Sequence, residues 1–129
     1  MTAQLNHTIV WCRDKQRSSA FLTGILGLPP AERFLHFLVV TLGNRVSLDF
    51  MDKDEPIASQ HYAFLVTEDE FDAGFARIQA DGVSHWADPG RAQPGQINRH
   101  WGGRGVYFED PDGHLMEMIT RPYGSEEQL

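Results

Sequence analysis

Three residues have the types and placement to do chemistry together: His7, His61 and Glu117. Glu117 lies in the run Leu115 to Thr120, where Leu115, Glu117 and Ile119 share one face of an expected strand and Met116, Met118 and Thr120 the other. A carboxylate in the middle of an apolar strand is costly unless it is paired or holds a cation. His7 and His61 each open a strand rich in β-branched and aromatic residues, LNHTIVWC and QHYAFLV, each with an apolar residue two places on. If both strands turn that face inward, two imidazoles and one carboxylate meet. That donor set suits Fe(II), Mn(II), Ni(II), Co(II) or Zn(II) and leaves positions open for substrate or water. Either histidine taken singly reads as a hydrogen-bonded structural residue; the three in register point to a divalent-metal centre in which all three are expected to be buried.

The elements that must position these residues follow a pattern that occurs twice. Leu5–Cys12 reads as a strand with His7, Ile9 and Trp11 on one face. Asp14 is the expected N-cap of a helix whose stripe, Phe21, Leu22, Ile25 and Leu26, ends at Gly27, so that 20–26 is helical. Phe34–Leu42, with room for two short strands, and Arg45–Met51 follow, with Gly43 and Asn44 as a turn. The polar segment 52–59 reads as a linker. The pattern then restarts with the strand 60–66, a capping box at Thr67 to Glu70, and a helix through 71–80 with Phe71, Phe75 and Ile78 as its stripe and Gly82 as its cap. A short strand at 83–87 comes next, then an irregular segment 88–103, of a length that usually covers a site or is mobile. The chain closes on a hairpin, in which Asp110-Pro111-Asp112-Gly113 supplies turn chemistry. The expected class is α+β: two paired βαβββ modules, about 1–55 and 56–124, whose curled sheets form a cleft within one domain 1–124, followed by a tail 125–129.

The 129 residues suffice for one domain with a real core. A formal charge of -7 argues against nucleic-acid and anionic-membrane surfaces, which call for basic patches. Cys12 is the single cysteine, so no internal disulfide forms. No apolar h-region or bilayer-length run is present, which makes a cytoplasmic protein the expectation.

The segments LNHTIV, HYAFLV and VYFEDPDGHLMEMI together resemble, in order, the three metal-ligand segments of the vicinal oxygen chelate superfamily, the glyoxalase/bleomycin resistance/dioxygenase group. The resemblance covers most of the chain. It implies paired βαβββ modules, a divalent metal held by His7, His61 and Glu117, and a homodimer in which His7 of one chain can meet His61 and Glu117 of the other. It also implies a role for Tyr107, ten positions before Glu117 across the hairpin, as a cavity tyrosine that hydrogen-bonds a ligand or acts as an acid. A strand tyrosine packed in the core is the competing reading of Tyr107.

Departures from that group narrow the chemistry. Where glyoxalase I enzymes carry a fourth ligand, this chain offers Ser47 and Asp49, and Trp11 stands where bacterial glyoxalases place a glutathione-binding arginine. Fosfomycin thiol transferases have a threonine where Ile9 stands. The expected lining is apolar and aromatic: Ile9, Trp11, Phe37, Leu65 and Ile119, with Gln96, Asn98, His100 and Trp101 closing from the long loop. Such a lining favours a flat aromatic ligand, stacked on Trp11 with Tyr107 at its polar edge. His36, His85 and His114 read as structural or surface residues. Two functions remain: a metal-dependent enzyme of dioxygenase or lyase type acting on a hydrophobic aromatic substrate, with Glu117 and Tyr107 catalytic, or a resistance protein that sequesters a bulky aromatic antibiotic. The intact triad favours the enzyme.

Overall fold

A computed structural model describes residues 2–126; residues 127–129, part of the expected tail, lie outside the described residues. The chain divides into two compact units, Met1–Ile57 and Ala58–Leu129, and the break falls in the expected linker.

The first unit runs β1 (His7–Cys12), α1 (Lys15–Leu26), β2 (Glu32–Phe34), β3 (Phe37–Thr41) and β4 (Ser47–Asp52). Its sheet has the order β1-β4-β3-β2, with β1 parallel to β4 and the other pairs antiparallel. Asp14 caps α1 through its carboxylate, which accepts from the Gln16 and Arg17 amides, and Gly27 ends the helix at φ 67°. The helix therefore starts earlier than its apolar stripe. Its buried face is Ser18, Ser19, Leu22, Thr23 and Ile25, with Phe21 and Leu26 only half-buried, and it packs on β3 and β4. The run 34–42 does break into two strands, because Leu35 takes a left-handed φ of 53°. Arg45 also turns left-handed, at φ 69°, so β4 begins two residues later than its composition suggests.

The second unit repeats the order: β5 (His61–Leu65), α2 (Glu68–Ala80), β6 (His85–Trp86), β7 (Gly105–Glu109) and β8 (Leu115–Ile119), in a sheet ordered β5-β8-β7-β6. Thr67 and Glu70 form the capping box of α2. The hairpin turn closes on Asp110 Oδ1, which accepts from the amides of Asp112 and His114 at 2.9 and 2.8 Å, with Gly113 at φ 85°. Both units are thus βαβββ modules, and the class is α+β.

In each unit one face of the strands carries the apolar core. Val10 and Cys12, Leu48 and Phe50, and Met116 and Met118 are buried in the core. The opposite faces carry His7, Ile9 and Trp11 in the first unit, and His61 and Leu65 in the second; all five are exposed. The two histidines are therefore not buried, contrary to expectation. They stand on the face opposite each unit's own core, where alternation leaves them exposed. Glu117, at 8 % exposure, is the buried member of the three.

Candidate metal and ligand site

Parallel pairing of β5 with β8 sets His61 opposite Leu115 and Ala63 opposite Glu117, while antiparallel pairing of β7 with β8 sets Tyr107 opposite Glu117. Three side chains from three strands thereby converge. His61 Nε2 lies 3.1 Å from Glu117 Oε1, and the His61 and Tyr107 rings stack at 5.9 Å between centroids. His61 Nδ1 lies 2.9 Å from the Leu115 carbonyl. A carbonyl only accepts, so Nδ1 carries a proton, and in a neutral ring Nε2 would present its lone pair to the carboxylate. Two acceptor atoms at 3.1 Å repel unless a positive charge stands between them. Either a proton or a metal cation supplies it, and imidazole nitrogen with carboxylate oxygen is a fitting donor set for such a cation. The backbone carbonyl also orients the ring, as the outer partners of metal-ligating histidines do. Among the described residues no three His, Cys, Asp or Glu side chains gather to hold an ion by themselves.

Tyr107 hydrogen-bonds Glu117, and burial together with that carboxylate pushes its hydroxyl up to about 12. The phenol thus stays protonated at neutral pH and is a donor. Its neighbours line a cavity of about 190 Å³, with Asn98, His100 and Trp101 from the long loop and Ile119 and Arg121 from the end of β8 and beyond.

The loop 88–103 is held by features that composition does not announce. Asn98 exchanges backbone hydrogen bonds with Gly105 at 2.9 and 3.0 Å, its amide donates to the Ala87 carbonyl at 2.8 Å, and its side-chain oxygen accepts from the His100 amide at 3.2 Å. Gly103 packs so closely on β8 that an added Cβ would stand 2.5 Å from Thr120 Oγ1 and 2.9 Å from Arg121 Cγ. Thr120 Oγ1 meanwhile accepts from the Arg104 amide. Gly103→Ala should therefore lift the loop and open the cavity around Tyr107 while leaving the sheets intact. Faster hydrogen exchange confined to 96–105 would show it; unchanged protection there would contradict it. Arg104, missed in the sequence because its partners are distant, donates to Glu68 Oε1 and Asp72 Oδ1 at 2.8 Å each and lies 4.5 Å over the Phe71 ring. It ties the start of β7 to α2.

The first unit has its own cavity, of about 560 Å³, lined by His7, Ile9, Phe37 and Asp49 together with Arg33 and Phe34. Asp49 pairs with Ile9, the same register that Glu117 holds with Ala63, so it is the counterpart of Glu117 in this module. Its Oδ1 is buried and has no hydrogen-bond partner among the described residues. Trp11 is not among the residues lining that cavity, and Lys53 Nζ sits 4.8 Å from its ring centroid. Leu65 lines neither cavity and is 61 % exposed. His114 and His85 are structural, as expected. His114 is fully buried and accepts from the Gln60 amide at 3.0 Å, and His85 Nδ1 bonds the Val83 carbonyl at 2.9 Å. His36 is exposed at the surface.

No described helix is long and apolar enough to cross a membrane. The glutathione transferase FosA of Serratia marcescens is 31% identical over 124 residues, covering 92% of this chain and 81% of that protein. The solved structures of the oxidases ChaP-H1 and ChaP-H2 each match with a TM-score of 0.94 at 54% identity. They cover 96% and 97% of this chain and 100% and 98% of their own. The fosfomycin resistance protein FosX of Mesorhizobium loti, at 21% identity, a TM-score of 0.72 and coverage of 95% of this chain and 96% of its own, shares the fold. The sequence model of the glyoxalase/bleomycin resistance protein/dioxygenase superfamily matches residues 4–118, and the chain belongs to that superfamily.

Proposed function

We propose that this protein is a divalent-metal-dependent oxidising enzyme acting on a hydrophobic aromatic substrate, with His61, Glu117 and His7 as metal ligands and a homodimer as the working form. The observation that carries the reading is the His61–Glu117 pair at 3.1 Å, an imidazole and carboxylate donor set that fits a divalent cation, with the protonated Tyr107 beside it. The 54% identity to two proteins named oxidases favours oxidation over the transferase chemistry named for the more distant FosA. When bound, a divalent ion supplies a Lewis acid with open coordination positions and, if it is iron, one-electron chemistry towards dioxygen.

The chain's own residues do the rest. Glu117 is ligand and charge partner. With Glu117 turned to the metal, the Tyr107 hydroxyl is released to donate its hydrogen bond to an oxygen of the substrate and serves as its acid. Ile119 and Trp101 exclude water beside Tyr107. Ile9 and Phe37 offer apolar contact in the first cavity, and the orphaned Asp49 Oδ1 accepts from a substrate hydroxyl. Trp11 and Leu65, on the same strand faces as His7 and His61, supply exposed apolar area to the ligand or to a second copy of the chain.

The test is oxygen uptake by protein loaded anaerobically with Fe(II), then given a panel of hydroxylated naphthalenes and anthracenes. Uptake that needs both metal and ligand supports the enzyme. Ligand binding with no uptake under any metal returns the reading to a sequestering protein. Tyr107→Phe should lower turnover by about 10²-fold or more while the metal content stays at the wild-type level. Unchanged turnover would leave Tyr107 a packing residue.

A further inference from the structure

We infer that the cavity of the second unit recognises a carboxylate carried on an aromatic ring, through Arg121 as the specificity-determining residue. The inference deepens the proposed function, since it names the substrate class for the same site.

Three observations carry it. Arg121 lines the cavity that also holds Tyr107 and Glu117, yet it makes no hydrogen bond or ion pair among the described residues. The other arginine at this cavity, Arg104, is committed to Glu68 and Asp72. In a chain of net charge -7, a guanidinium left unpaired at a cavity wall keeps its charge available for a ligand. Second, the base of the Arg121 side chain runs close along the loop: a Cβ added at Gly103 would stand 2.9 Å from Arg121 Cγ and 3.3 Å from its Cβ. The planar fork beyond it suits a planar carboxylate, which it can grip with two parallel hydrogen bonds.

Third, an aromatic wall stands beside it. Trp101 and Tyr123 lie 5.2 Å apart between centroids, with their planes at 52°. Trp101 holds a left-handed backbone, φ 62° and ψ 22°, which a bulky residue adopts only where its surroundings impose it. The cavity's 190 Å³ is below the range of about 300–1,000 Å³ usual for whole drug-sized ligands, so it takes one ring end of a larger molecule. That end has a π-face for Trp101 and Tyr123 and an anionic group for Arg121. Glu117, which lines the same cavity beside Tyr107, repels the same anion, so the carboxylate is directed to Arg121 and the ring's neutral edge to Tyr107.

The test compares 2-naphthoate with its neutral amide, 2-naphthamide, by tryptophan fluorescence and calorimetry on the full chain, both metal-free and loaded with Mn(II). The expected result is a preference of tenfold or more for the carboxylate that persists without metal. Arg121→Gln should erase the preference by bringing the carboxylate's affinity down to that of the amide, and Arg121→Lys should restore part of it. Trp101→Leu should weaken both probes alike. Equal affinities in the wild-type protein, failure of both probes to bind, or a preference that survives in Arg121→Gln would overturn the inference. A preference seen only with Mn(II) would do so as well, since it would assign the carboxylate to the metal. If Glu117→Ala leaves metal uptake intact but the Arg121-dependent preference remains, the metal-centre reading falls and this subsite stands.

Discussion

Glu117→Ala should abolish tight divalent-metal binding and leave the fold unharmed. Glu117 is the only one of the three proposed ligands that is buried, and it sits between Met116 and Met118, both fully buried on the reverse pleat. Taking a carboxylate out of water costs free energy that the metal-free protein offsets, among the described residues, through His61 and Tyr107. Removal of the charge therefore spares the apo protein, whose melting temperature should stay close to wild type. Metal binding is another matter. Altering even the outer partners of metal ligands typically costs 10–100-fold in affinity, so loss of a ligand should cost at least about 100-fold. At a metal concentration of about 100 times Kd, wild type gains roughly 2.7 kcal/mol of stability, and this gain should vanish in the variant. Calorimetric titration and metal-dependent melting give the two readouts. Affinity should also fall in acid, because protons compete with the metal for His61 Nε2 and Glu117. A variant that takes up metal as tightly as wild type would remove Glu117 from the site.

Phe108→Ala is expected to have the largest effect on stability, about 3–5 kcal/mol. Phe108 is fully buried, and it is the residue after Tyr107 on β7, so it anchors the strand from the reverse face while Tyr107 faces the cavity. Its ring removed, neighbouring side chains relax only in part and a cavity remains. The melting temperature should drop by roughly ten degrees or more. The signal of Tyr107 should change too, since the strand that aims it loses its support. In a spectrophotometric titration Tyr107 should ionise near pH 12 in the wild-type fold, because burial and Glu117 hold the proton on. It should move back towards 10 where β7 is disordered. Linkage has the matching sign: the folded value lies above the unfolded one, so this contribution to stability is complete below about pH 10 and is lost as pH rises towards 12. A loss of less than about 1 kcal/mol in Phe108→Ala would mean that the core of the second unit closes without it.

Much of this protein was legible in local spacing. Asp14, the Thr67–Glu70 box and Gly113 were found because caps and turns depend on residues within four positions of one another. The separation of Glu117 from Met116 and Met118 followed from strand alternation, which has a period of two whatever the rest of the chain does. The repeated βαβββ pattern was likewise a sum of local signals.

What only the tertiary structure decided depends on pairs far apart in the chain. The parallel register of β5 on β8 put His61 Nε2 against Glu117, 56 residues away, and a register one residue different would have put Glu117 on the other face. Spacing alone could not state which strands pair in parallel. Arg104 found Glu68 and Asp72 across 36 and 32 residues, partners that nothing near it in the sequence announces. The need for glycine at 103 comes from Thr120 and Arg121, and its neighbours in sequence give no hint of it. The exposure of His7 and His61 was misjudged for the same reason. Alternation determines which residues share a face, whereas burial depends on what the fold lays over that face, and that is a property of distant segments rather than of the strand itself.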